Sequence, residues 1–79
     1  MNAYVGIFET SGQMAGPWAG CGHPAIVLDI QNDNTWRDGV FFARCDLSDS
    51  AAALAIIKAF CHGQPPAFVA AFPPCDHLA

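Results

Sequence analysis

Four cysteines, three histidines and seven acidic residues carry most of the reactive chemistry in this 79-residue sequence. Cys21-Gly22-His23, Cys61-His62 and Cys75-Asp76-His77 each bring together two residue types that ligate zinc. No Cys-x-x-Cys spacing accompanies them, so no metal is expected. Cys75 follows Pro73-Pro74 and is a nucleophile only where a neighbouring base or charge depresses its pKa; His77 is the nearest candidate, and otherwise the thiol is inert. Ser11-Gly12 ends a polar turn in which glycine would let the backbone approach a ligand, or is simply a turn. Asp29 closes an apolar run and Asp46 precedes a helix. Each is either a hydrogen-bond acceptor for a ligand or a solvated residue beside a turn or cap.

A second group of side chains suits an interface better than a reaction. Asp33, Trp36, Arg37 and Asp38 fall within or beside the polar stretch from Gln31 to Gly39. Trp and Arg are enriched among interface hot spots, and the acids favour a Lys- and Arg-rich counterpart. A solvated turn with Trp36 folded back onto a sheet is the plainer alternative.

The elements that must position these residues follow from hydrophobic pattern and breakers. Tyr4 to Phe8 reads as a first strand, and a short helix is expected near Pro17, where a proline suits the first turn. Ala25 to Ile30 is nearly all apolar and predicts a strand covered on both faces. Val40 to Cys45 predicts a third strand, pairing with the second either as a hairpin or in a parallel sheet. Ser48 is placed to cap a main helix over residues 49–62, with Gly63 at its C′ position. Ala52, Ile56, Ala59 and Phe60 share one face of that helix and Leu54, Ile57 and Cys61 an adjacent one, so two faces call for cover. Pro65-Pro66 and Pro73-Pro74 bracket a fourth strand over residues 67–72. The expected fold is α/β or α+β: one domain over residues 1–79, with a sheet of three to four strands and one main helix.

Composition narrows the function classes. Hydrophobic residues make up 53 % and charged residues 13 %, the reverse of a disordered chain and more apolar side chain than so small a domain readily buries. The net charge of −4 argues against phosphate neutralisation, so direct nucleic-acid binding is not expected. The longest apolar run, Ala51 to Ile57, is far short of the roughly 18 residues of a spanning helix. The start lacks a basic n-region, which makes the cytoplasm the expected compartment and Cys21, Cys45, Cys61 and Cys75 reduced. Repeats and low-complexity tracts are absent from the sequence. The uncovered helix faces lead to an expected homodimer through residues 49–62.

Taken in order, these motifs resemble the N-terminal half of a phage-type S-adenosylmethionine-dependent DNA methyltransferase, with a half-Rossmann arrangement. Phe8-Glu9-Thr10-Ser11-Gly12 is similar to the turn beneath the cofactor's methionine part. Asp29 resembles the acid that holds the ribose, and Cys45-Asp46-Leu47 the acidic segment approaching the adenine. Phe72-Pro73-Pro74-Cys75 is similar to the segment carrying the nucleophilic cysteine in cytosine-C5 enzymes. The resemblance implies a cofactor site at Ser11, Gly12, Asp29 and Asp46.

The sequence ends at Ala79, before the later strands, catalytic acid and base-holding region of such an enzyme. No catalytic activity and no cofactor are therefore expected of the chain alone, with S-adenosylmethionine retained only for an inactive or fragmentary cofactor-binding half. Size, acidity and resemblance to a phage product also look like a type I anti-CRISPR protein, type I-C included. That likeness implies a non-enzymatic inhibitor whose partner is a host CRISPR-Cas complex, with Asp33, Trp36, Arg37 and Asp38 blocking its basic DNA-binding surface.

Overall fold

The alternating side chains of three neighbouring strands build two apolar layers, one on each face of a single sheet. The computed structural model describes residues 3–7 and 15–71. Its elements are β1 (Tyr4–Ile7), α1 (Ala15–Gly20), β2 (Ala25–Asp29), β3 (Thr35–Arg37), β4 (Val40–Arg44), α2 (Ser50–Phe60) and β5 (Phe68–Ala71). On one face Val5, Ile26, Leu28, Ala43 and Cys45 form a cluster with Ala3 and Cys61, covered by Ala53, Ile56, Ile57 and Phe60 of α2. On the other, Tyr4, Ala25, Val27, Val40 and Phe42 pack with Ala15, Trp18 and Ala19 of α1. The period-2 pleat makes this division, and each fully buried Ile or Leu stabilises the sheet by about 1.5–3 kcal/mol.

The strand order is β3-β4-β2-β1-β5. β4, β2, β1 and β5 are mutually parallel, and β3 runs antiparallel to β4. The parallel strands, numbered in chain order, therefore lie 3-2-1-4, the arrangement of the first half of a doubly wound sheet extended one strand past its switch point. That switch point lies between β1 and β5. Strands β2 and β4, left open in the sequence as hairpin or parallel pair, are parallel in register Ala25↔Val40 to Asp29↔Arg44.

Five strands replace the expected three to four, because Gln31–Gly39 is not a continuous loop. Thr35–Arg37 pairs with Val40–Phe42, and the two-residue Asp38-Gly39 turn has positive φ at both positions, 51° and 81°. This is the type I′ geometry that matches strand twist and that Asp-Gly accommodates. Gly39 is required twice over, since a Cβ there would also meet Ala19 Cβ at 3.2 Å.

Helix α2 starts one residue later than expected. Asp49 is its N-cap, accepting from the Ala52 amide at 3.1 Å, because Ser48 instead donates its hydroxyl to Asp46 at 2.7 Å. At the other end Gly63 N donates to Lys58 O at 2.9 Å and His62 N to Ala59 O at 3.4 Å. This Schellman pattern puts His62, at φ 54°, rather than Gly63 at the C′ position. The two apolar faces expected of α2 merge into one: Ile56, Ile57, Phe60 and Cys61 all meet the same cluster, and Leu54 remains 60 % exposed. Much of the apolar surplus lies elsewhere, at Ile30, Trp36, Phe68 and Val69. Among the described residues no helix is long and apolar enough to cross a membrane.

Candidate functional site at the carboxyl ends of the strands

Because β1, β2, β4 and β5 are parallel, their carboxyl ends share one edge of the sheet, where open α/β sheets place their ligands. Asp29 is the last residue of β2, and Asp46 lies two residues beyond the end of β4. The topology thus brings together two acids seventeen positions apart in sequence.

Asp29 is half-buried. Its Oδ1 accepts from the Gln31 amide at 3.0 Å, which holds the carboxylate over the start of the loop. No hydrogen bond among the described residues engages its Oδ2. The Asp29 carbonyl accepts from the amides of Cys45, at 3.1 Å, and Asn32, at 3.2 Å. Next in sequence, Ile30 is 57 % exposed, an apolar surface beside the acid.

Asp46 is exposed, and its Oδ1 accepts from both the amide and the hydroxyl of Ser48. The Ser48 hydroxyl and then its amide hold the Asp46 carboxyl below the usual carboxylate range, against a small opposing effect of desolvation. Cys45, immediately before it, is buried, and desolvation followed by the Asp49 and Asp46 charges raises its thiol pKa. The carboxylates offer acceptors to hydroxyl or amino groups, and the neighbouring thiol remains protonated.

A five-residue loop, 30–34, crosses the carboxyl end of β4 on its way from β2 to the outer strand β3. Asn32 is 3 % exposed within it, and its Nδ2 donates to Val27 O and Ala43 O, each at 3.2 Å. Arg44 fastens the same loop, donating from Nε to Ile30 O at 3.2 Å and from its amide to Asn34 Oδ1 at 2.8 Å. Sequence reasoning missed Asn32 and Ile30. Ile30 reads from sequence as the last residue of the second strand and Asn32 as a turn residue, whereas β2 ends at Asp29 and the crossing over β4 gives both their role.

The four interface candidates are exposed but do not form one patch. Asp33 lies in the crossing loop, whereas Asp38 lies in the turn at the opposite end of β3. Trp36, 61 % exposed, packs its ring 5.2 Å from Phe41 and 6.3 Å from Phe60. Arg37 sets its guanidinium 3.9 Å over the Phe42 ring.

Ser11 and Gly12, in the segment joining β1 to α1, lie outside the described residues, as does the Phe72-Pro73-Pro74-Cys75 motif after β5. Cys21 is exposed, and with Pro17, Trp18 and His23 it lines an open concavity of about 310 Å³. The Trp18 ring there also meets Tyr4 and Phe68, which begin β1 and β5, so this hollow lies toward the amino ends of the strands. Comparison of the chain with family models, with curated proteins and with solved structures found no match in any of the three.

Proposed function

We propose that the chain is the nucleoside-binding half of a Rossmann-like, S-adenosylmethionine-dependent methyltransferase, holding the cofactor's adenosine portion at the carboxyl ends of β1, β2 and β4. One observation carries this reading: the 3-2-1-4 parallel order puts Asp29 and Asp46 on one edge of the sheet, both on the β1 side of the switch point. The donor set fits the group. Asp29 offers an oxygen to the ribose hydroxyls, Asp46 offers one to the adenine amino group, and Ile30 offers an apolar surface to the base. S-adenosylmethionine supplies a transferable methyl group when bound; the chain's own part is to bind and orient it. Calorimetry with S-adenosylmethionine tests the reading: binding that raises the melting temperature supports it, and the absence of both at saturating ligand overturns it.

The exposed β3 edge favours a second reading, that of an inhibitor docking on the basic surface of a CRISPR-Cas complex. Its support is the 61 % exposure of Trp36 on the outermost strand of a chain of net charge −4. Phage survival in bacteria expressing the chain, each carrying one CRISPR system, tests it. Protection confined to one system supports the inhibitor, and protection in none overturns it.

A further inference from the structure

We infer that Asn32 is the positioning residue of the nucleoside site, setting the separation of Asp29 and Asp46 by clamping the ends of β2 and β4; the inference rests on the methyltransferase-half reading above. Parallel strands are commonly joined by a crossover of a dozen or more residues, usually a helix. Here the connection from β2 to β4 has no helix, and its first five residues pass directly over the end of β4. The β2–β4 ladder runs on to the Asp29↔Arg44 pair beneath that crossing, and the loop above it is fastened to both strands by side-chain donors.

Asn32 makes this fastening with both hydrogens of one amide. One goes to Val27 O, inside β2, and one to Ala43 O, inside β4. The Asn32 backbone amide donates to Asp29 O, the same carbonyl that accepts from Cys45 N. A single buried residue therefore touches both strands and the main chain of the ribose-side acid, and Cys45 carries the tie to within one residue of Asp46. Asp29 ends β2 and Asp46 follows β4, so their spacing depends on such ties together with the β2–β4 ladder. Asn32 touches no ligand in this scheme and acts through the two acids.

The test begins with the wild-type chain and S-adenosylmethionine. By NMR, the Asn32 Nδ2 protons are expected to exchange slowly and to shift when the ligand is added, together with the Cys45 amide. Asn32→Ala is expected to bind about tenfold more weakly, and Asn32→Ser, which keeps one donor, to lose less. Val40→Ala, at the amino end of β4, serves as a control that lowers the melting temperature without changing affinity when measured well below it. Loss of affinity in the Asn32 variants but not in Val40→Ala separates positioning from general destabilisation. Wild-type binding with both Asn32 variants within twofold of it, or with Nδ2 signals that do not respond, overturns the inference. If the variants do not fold, the wild-type NMR signals decide. Failure of the wild type to bind at all overturns the underlying reading instead, and the two results are distinguishable.

Discussion

The Cys45 amide donates to the Asp29 carbonyl at 3.1 Å, tying the first residue after β4 to the last residue of β2. Backbone rather than side chain makes this tie, so removing the Asp29 carboxylate leaves it in place. Asp29→Ala is therefore expected to keep the fold and lose ligand affinity, by about tenfold or more if the carboxylate accepts a ribose hydroxyl. Circular dichroism and calorimetry on the same sample check both halves. A variant that binds S-adenosylmethionine like the wild type would remove Asp29 from the site.

Gly39 serves the hairpin and the helix packed against it at once. Alanine there must adopt φ near 81° and bring its Cβ to 3.2 Å from Ala19. Gly39→Ala is expected to cost about 1–2 kcal/mol for the left-handed backbone alone. Ala19→Gly should relieve only the contact, so the double variant recovers part of the loss. Urea unfolding of the four proteins measures the coupling, and strictly additive effects would show that the close approach is immaterial.

How far the sequence could be read depended on whether an element announces itself in its own residues. Ala25–Asp29 is apolar on both faces because it sits centrally between two helical layers, so its strand and the acid at its end were legible together. Thr35–Arg37 has only three residues amid polar ones, and its strand character comes from pairing with β4. Asp38-Gly39 closes the polar stretch from Gln31 to Gly39, and a chain breaker and a type I′ hairpin turn share those same letters. Asn32 was the least legible. Its burial follows from a crossing that depends on β3 lying outside β4, a long-range fact that no local pattern contains.

Asp46 titrates in a defined direction. The Ser48 bonds stabilise the ionised carboxyl, so its folded-state pKa lies below the unfolded value of about 3.9. The contribution to stability is complete above that unfolded value and is lost as pH falls through the folded pKa. An NMR titration is expected to place the Asp46 midpoint below the unfolded aspartate value, and Ser48→Ala to move it upward. An unchanged midpoint in Ser48→Ala would show that the turn does not hold the carboxylate in solution.

The described cysteines divide sharply by accessibility. Cys21 is exposed, whereas Cys45 and Cys61 are 5 % and 0 % exposed in the same apolar cluster, and the Cys45 thiol pKa is raised by burial and by the Asp49 and Asp46 charges. A thiol alkylates through its thiolate, so Cys45 is disfavoured by both access and ionisation. Iodoacetamide at neutral pH is expected to label Cys21 within minutes and to leave Cys45 and Cys61 unmodified until the domain opens. Labelling of the buried pair should then track urea concentration through the unfolding transition, since opening limits their exposure. Asp49→Asn removes the larger of the two charge effects on Cys45, along with part of the α2 cap. It is expected to speed Cys45 labelling both by easing ionisation and by loosening the first turn. Ala52→Pro separates these causes, because it removes the amide that Asp49 caps but leaves the charge. Faster labelling in Asp49→Asn alone points to the charge; equal acceleration in both points to the cap, and mass spectrometry of tryptic peptides reads the difference.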